Sequence, residues 1–318
     1  MPDRVVCLYD FAADELATLF AHRDVELVLL DGTEDAGRRR DELARATVVI
    51  ASLHRHRALT AADLAVMRHC RLVQTSAVGF DSVDHVAAAQ LGIPVANLPG
   101  FNVAAVADWT LLALLWLLRR PDLAASGVAR GEWSPHLGED LARLTVGIAG
   151  FGRIGRAVAR RLAGFGAGVL VFDARPVDGG YRQLELDELL RHSDAVSVHL
   201  PLNDSTRALL DADRLALLRP GAYLVNTGRG GVVDESALAA ALAAGRLGGA
   251  ALDVFATEPL AADSPLRGRA EVLLSPHCAG HTRAAAETMR RRLVEAIDHV
   301  LDGGAPRNVV NEVLADAH

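Results

Sequence analysis

Residues 150–155 read GFGRIG, directly after the run VGIA at 146–149 and ahead of a segment, 153–162, with helical periodicity. A short β-branched run, a tight glycine turn and a helix form the order that a dinucleotide-binding βαβ unit requires. Gly150 permits the turn, Gly152 lets the backbone approach a pyrophosphate, and Gly155 lets helix and strand pack closely. The helix N-terminus then offers free N–H groups and the positive end of its dipole to the phosphates. A second apolar run, 169–172, ends at Asp173, eighteen residues beyond Gly155. A carboxylate there can accept hydrogen bonds from a ribose diol, which favours NAD. A 2′-phosphate would meet like charge, although Arg175 offers a partial counterion. A glycine fingerprint alone is weak; the strand before it, the helix after it and the acid in register make the dinucleotide reading specific.

Working outward, 318 residues suit two domains. Hydrophobic residues make up 51% and charged residues 23%, which excludes a largely disordered chain. The formal net charge of −7 argues against nucleic acid or an acidic membrane as a partner. Two arginine runs, 38–40 and 290–292, lie in helix-like segments near acids and read as solvated helix faces. The chain has no lysine, which removes Schiff-base, pyridoxal-phosphate and P-loop mechanisms. Cys7, Cys70 and Cys278 are scattered, as suits a reducing cytoplasm, and no metal is called for. The N-terminus lacks the apolar core of a signal peptide, and the longest apolar run, LLALLWLL at 111–118, is too short to span a bilayer.

The hydrophobic pattern predicts an α/β chain. Strands are expected at 5–9, 25–30, 48–50, 72–76 and 93–97, forming one doubly wound unit. Pro94, Pro99 and Gly100 punctuate the chain before an almost continuously apolar helix, 103–118, which Asn102 is placed to cap. Such a helix should lie between two domains or two subunits. After Asp173, apolar runs at 195–199, 223–226, 250–255 and 272–275 bring the second unit to about six parallel strands. A last amphipathic helix, about 283–301, is stopped by Gly303 and Gly304 and is free to return to the first unit. The expected boundaries are 1–99 with 283–318 for a substrate domain and 100–282 for the nucleotide domain, with a hinge and a cleft where the boundary is crossed twice.

Hydride chemistry on a nicotinamide needs a group that moves a proton. In open α/β sheets, ligands gather at the carboxyl ends of strands. Three ionisable residues follow successive predicted strands there: Arg229, Glu258 and His277. Their types are complementary: the arginine clamps a carboxylate, the histidine titrates near working pH, and the glutamate orients the ring and favours its protonated form. Taken singly, each has a plainer reading. Arg229 would be a surface residue in a glycine-rich turn, Glu258 a loop residue before Pro259, and His277 a cap on the following helix.

The chain resembles the D-isomer-specific 2-hydroxyacid dehydrogenases from about residue 70 to 310. The motifs are SAVGFDSVD at 76–84, GFGRIG at 150–155, SDAVSVHLPLNDSTRALL at 193–210, RPGAYLVNTGRGGVVDE at 219–235, ALDVFATEP at 251–259 and SPHCAGHT at 275–282. The resemblance implies a Rossmann NAD domain inserted into a flavodoxin-like substrate domain, and interconversion of a 2-keto acid with a D-2-hydroxy acid. It implies that Arg229 binds the substrate carboxylate together with the Val78 and Gly79 N–H groups, that His277 is the acid/base and that Glu258 holds it. Implied cofactor contacts are Arg153, Ile154, Asp173, Pro201, Thr206, Thr227, Asp253 and Gly280. A homodimer is implied too, supported by the apolar helix.

There are departures. Asp108 stands where the family usually has glutamate, SLHRHR at 52–57 replaces its usual entrance, and no regulatory domain is expected after residue 318. Two alternatives stay open: a phosphite-type oxyanion dehydrogenase, with His54 to Arg57 as an anion site or a merely solvated loop, and a non-catalytic NAD-sensing protein of the co-repressor kind.

Overall fold

A computed structural model describes residues 2–52 and 57–313. The chain divides into two compact units, Met1–Phe101 with Arg283–His318, and Asn102–Thr282.

The first unit is built on β1 (Asp3–Cys7), β2 (Val25–Leu29), β3 (Val48–Ala51), β4 (Leu72–Thr75) and β5 (Val95–Ala96), with α1 (Ala13–Leu19), α2 (Ala36–Ala44), α3 (Ala61–Leu64) and α4 (His85–Gln90) between them. The strands form one parallel sheet in the order β2-β1-β3-β4-β5, the flavodoxin-like arrangement. The strand expected over 93–97 shrinks to two residues. Pro94 has no N–H to give, and the N–H groups of Asn97 and Leu98 go to Asn308 O and Ala77 O instead. The C-terminal segment closes this sheet edge: Val309 bridges Ala96, and Asn311 accepts from Val95 N while donating to Ile93 O.

The C-terminal helix (Arg283–Leu301) buries Ala285, Met289, Leu293 and Ile297 at four-residue spacing, then Val300 and Leu301. This stripe packs on Val5, Phe11, Phe20, Ile50 and Leu72. The arginine runs are not simply solvated. Arg39 is held by Asp63 at 3.1 Å, Arg290 by Glu15 at 2.6 Å, and Arg292 donates to Pro99 O at 3.0 Å. Their long stems let a charge at a helix edge reach a neighbouring element.

The second unit contains α5 (Val103–Arg119), α6 (Pro121–Ala129), β6 (Thr145–Ala149), α7 (Arg153–Gly164), β7 (Gly168–Phe172), β8 (Arg182–Gln183), α8 (Leu186–His192), β9 (Ala195–Val198), α9 (Ala212–Leu217), β10 (Ala222–Asn226), α10 (Glu235–Ala243), β11 (Leu247–Leu252) and β12 (Val272–Leu274). All its strands are parallel, in the order β12-β11-β10-β9-β6-β7-β8. This is the Rossmann winding, with successive strands added first on one side of β6 and then on the other. The strand beyond the expected six is β8, two exposed residues that leave no apolar run to read.

Much of the apolar surface of α5 is buried within its own unit, where Ala107, Leu111, Leu114 and Leu118 share a core with Val146, Ile148, Val158 and Leu162, while Leu112 is exposed. Asn102 does not cap α5 with its side chain. Its amide sits against Gly280, where a Cβ would approach Asn102 Nδ2 to 2.8 Å. Asp108 pairs with Arg161 of α7 at 2.6 Å, so the shorter acid ties α5 to the fingerprint helix. Among the described residues, no helix is long and apolar enough to cross a membrane.

Candidate active site

The fingerprint forms the turn from β6 into α7, at the point where the sheet winds both ways. Gly150 has φ +97°, a conformation that side chains rarely adopt, and a Cβ on Gly155 would sit 2.2 Å from Gly150 O. The two positions therefore admit only glycine. At Gly152 there is open space where a Cβ would stand, so the backbone can be approached there. Asp173, at the end of β7, accepts Phe151 N–H at 2.8 Å on one oxygen and Arg175 N–H at 3.0 Å on the other. These bonds fix the carboxylate beside the glycine turn, and each oxygen keeps a further lone pair for a ribose hydroxyl. Arg153 is exposed at the start of α7, and Ile154 is partly buried against its core. This set fits a dinucleotide.

Other residues singled out in the sequence line the ends of β9 to β12. Pro201 is exposed, and Thr206 donates to Pro201 O at 2.7 Å, closing the turn after β9. Thr227 Oγ1 lies 3.0 Å from His199 Nδ1, and His199 Nε2 lies 2.8 Å from Ser197 Oγ. Burial pushes the His199 pKa down to about 3, so the ring is neutral and joins two hydroxyls, donating to one and accepting from the other. Sequence reasoning passes over His199, because nothing in SVHLPL separates a desolvated histidine from an exposed one.

The loops after β10, β11 and β12 hold Arg229, Glu258 and His277. Asn226 bonds Gly228 N and Arg229 O through its side chain, which shapes the turn that carries Arg229. A Cβ on Gly230 would fall 1.8 Å from Phe255 C, so the loops of Arg229 and Glu258 meet backbone to backbone. Glu258 Oε1 accepts Phe255 N–H at 3.0 Å, and Oε2 lies 2.9 Å from His277 Nδ1. Burial raises the Glu258 pKa, but the bond to His277, its charge, the Phe255 N–H and the Arg229 charge together outweigh this and hold the carboxyl below its usual range. Glu258 is therefore ionised at neutral pH. Nδ1 is taken by Glu258, and the half-exposed ring presents Nε2 outward.

His277 has φ +53°, an unusual conformation for a residue with a side chain, and its loop is anchored accordingly. Asp253 is buried, and its carboxylate accepts Ser275 Oγ–H at 2.6 Å, Cys278 N–H at 2.8 Å and Ala279 N–H at 2.9 Å, while its carbonyl accepts His277 N–H at 2.8 Å. One buried acid thus organises 275–279. Along the chain Asp253 stands out only as a cofactor contact, with no sign of this anchoring. Burial and the Asp253 charge push the Cys278 thiol above its ordinary range, so the neighbour of His277 is kept as a thiol.

In the first unit, Val78 and Gly79 follow β4 in a turn that the chain at 97–98 holds from behind: Asn97 Nδ2 donates to Val78 O at 2.7 Å, and Leu98 N to Ala77 O at 2.8 Å. Of the basic cluster, His54, Arg55 and His56 lie outside the described residues. Arg57 pairs with Asp10 at 2.5 Å and donates to Leu8 O at 3.3 Å, so it ties its loop to the end of β1.

Known proteins are similar to this chain in sequence and fold. Residues 111–279 match the family model "D-isomer specific 2-hydroxyacid dehydrogenase, NAD binding domain". The chain is 38% identical over 311 residues to a D-3-phosphoglycerate dehydrogenase of Mycobacterium tuberculosis, covering 94% of this chain and 58% of that protein. It thus spans little more than half the length of that relative. A glyoxylate reductase of Aeropyrum pernix is 40% identical over 257 residues, 76% of each chain. The crystal structure of a D-lactate dehydrogenase from Aquifex aeolicus, complexed with NAD and lactic acid, superposes with a TM-score of 0.85 at 29% identity, covering 95% of this chain and 96% of that one. The chain belongs to the D-isomer-specific 2-hydroxyacid dehydrogenase family, and its second unit carries that family's NAD-binding domain.

Proposed function

We propose that the protein is an NAD-dependent oxidoreductase that interconverts a 2-keto acid and a D-2-hydroxy acid. The observation that carries the proposal is the 2.9 Å contact between His277 Nδ1 and Glu258 Oε2 at adjoining strand ends of an NAD-binding unit. NAD, when bound, supplies or accepts the hydride. In the direction of reduction, His277 Nε2 delivers a proton to the carbonyl oxygen, and in oxidation it withdraws the same proton from the hydroxyl. Glu258 fixes the tautomer by engaging Nδ1 and stabilises the imidazolium when it forms. Arg229 clamps the substrate carboxylate, and the N–H groups of Val78 and Gly79 donate to the same group. Gly150, Gly152, Arg153, Ile154, Gly155, Asp173, Pro201, Thr206, Thr227, Asp253 and Gly280 serve the cofactor. Of these, Asp253 acts chiefly by holding the His277 loop.

A steady-state assay of NADH oxidation with glyoxylate, pyruvate, hydroxypyruvate and longer 2-keto acids tests the proposal. Turnover with at least one is expected; NADH binding without turnover of any of them refutes it.

We also propose a cytoplasmic homodimer. Trp133 is 89% and Leu137 94% exposed in the coil after α6, Leu123 and Val128 are exposed on α6 itself, and Leu112 is exposed on α5. Large apolar side chains left this exposed on the outside of a folded unit point to a contact surface. Sedimentation at micromolar concentration is expected to show a dimer, and a monomer alone would overturn this.

A further inference from the structure

The turn at 76–79 has two carbonyls drawn to the same side. Ala77 O accepts Leu98 N–H at 2.8 Å and Thr75 Oγ1–H at 3.0 Å; Val78 O accepts the Asn97 carboxamide at 2.7 Å. The 77–78 and 78–79 peptides are trans. In a trans peptide the C=O of one residue and the N–H of the next point in opposite directions. Fixing Ala77 O and Val78 O inward therefore turns the N–H groups of Val78 and Gly79 outward. Neither has an acceptor among the described residues. Two successive N–H groups on one side make a concavity for an anion.

The two peptides are not held alike. The 77–78 plane is fixed twice, by a backbone N–H and by the hydroxyl of a buried threonine. The 78–79 plane is fixed by the Asn97 side chain alone, and its far side is a glycine, whose φ turns at little cost. Asn97 is itself held, because its backbone N–H donates to Asn308 O at 3.2 Å and its neighbour Ala96 bridges Val309. A carboxamide is also the right chemistry. It donates to Val78 O without placing a negative charge behind an anion site, as a carboxylate would.

We infer that Asn97 is the positioning residue that aims the Gly79 N–H at the substrate carboxylate, setting affinity for the 2-keto acid without taking part in proton or hydride transfer. This rests on the proposed use of the Val78 and Gly79 N–H groups.

The test compares Asn97→Leu and the near-isosteric Asn97→Asp with Gly79→Pro, which removes the N–H itself, in the full chain with NADH and the best 2-keto acid. Losing one hydrogen bond to a charged group corresponds to a rise in KM of about ten- to hundredfold. Both Asn97 variants should show that rise, with kcat within about twofold of wild type and NADH affinity unchanged, since proton transfer is untouched. Oxamate, an unreactive carboxylate analogue, should weaken in parallel when titrated against the enzyme–NADH complex. If Gly79→Pro raises KM and both foldable Asn97 variants leave it unchanged, the role of Asn97 is overturned. If Gly79→Pro leaves KM and oxamate affinity unchanged, the donor pair is not used and the reading beneath the inference fails. A fall in kcat with KM unchanged in the Asn97 variants also overturns it. Should Asn97→Leu fail to fold, as melting and NADH titration would reveal, Asn97→Asp decides between these outcomes.

Discussion

The loop of His277 and the loop of Val78 and Gly79 both leave the carboxyl end of a parallel strand, yet they are anchored by opposite means. The first is gathered around a buried carboxylate, Asp253, with a second carboxylate, Glu258, on the imidazole. The second is gathered by neutral groups, the Asn97 amide and the Leu98 N–H. On the proposed function, the difference follows from what each loop would present. A carboxylate beside the imidazole holds its ring at Nδ1, whereas negative charge beside a pair of N–H donors would repel an anion bound there. On the proposed function, anchor chemistry would distinguish a proton-moving loop from an anion-holding one.

The comparison breaks most visibly at His277, the proposed proton donor. His277→Ala is expected to lower turnover by about a hundredfold or more while leaving NADH affinity intact, as read by steady-state kinetics and fluorescence titration. Unchanged turnover would remove the charged loop from the chemistry altogether. Glu258→Gln keeps the size and loses the charge. Its expected effect is a fall in kcat of about tenfold, smaller than that of His277→Ala, because the ring remains but is less well oriented.

Asp253→Asn tests the anchor itself. An amide cannot accept all three donors that now converge on the carboxylate, so about 2 kcal/mol of stability should be lost, measured by urea unfolding. No loss would mean that the loop is held by its backbone alone.

His199 sharpens the comparison as a neutral, part-buried group on the charged side. Its folded pKa of about 3 lies below the unfolded value, so the unfolded chain takes up a proton first. The stability contributed is fully present above about pH 6.5 and is lost as pH falls towards 3, at about 1.4 kcal/mol per pH unit. Unfolding followed at pH 7 and pH 5.5 should show His199→Asn losing less stability than wild type over that interval. Equal losses would show that the ring is protonated in the native state.

Much of the site is legible along the chain. The glycines at 150, 152 and 155 with Asp173 are a local pattern, because a βαβ unit places strand, turn and helix within one short stretch. Arg229, Glu258 and His277 stand out because each follows an apolar run and parallel strands bring such ends together. The capping role expected of Asn102 fails for a reason that local sequence does not carry: its amide is turned towards Gly280, more than 170 residues away. The nearly all-apolar helix α5 sets much of its surface against α7 and the sheet of its own unit, while Leu112 stays exposed. Periodicity shows how much surface a helix must bury, but not against what.

By itself, then, the sequence determined the α/β class, the dinucleotide fingerprint and the three ionisable strand ends, since all of these depend on residues close in the chain or on the winding rule for parallel sheets. Tertiary structure alone decided how those residues are held. Asp253 reaches across more than 20 residues to fix the His277 loop, Asn97 reaches back 19 residues to turn one peptide plane, and Gly230 vanishes into the backbone of Phe255. Hydrogen bonds and close approaches of this kind depend on directions and distances of a few tenths of an ångström, and these exist only once both sheets have formed.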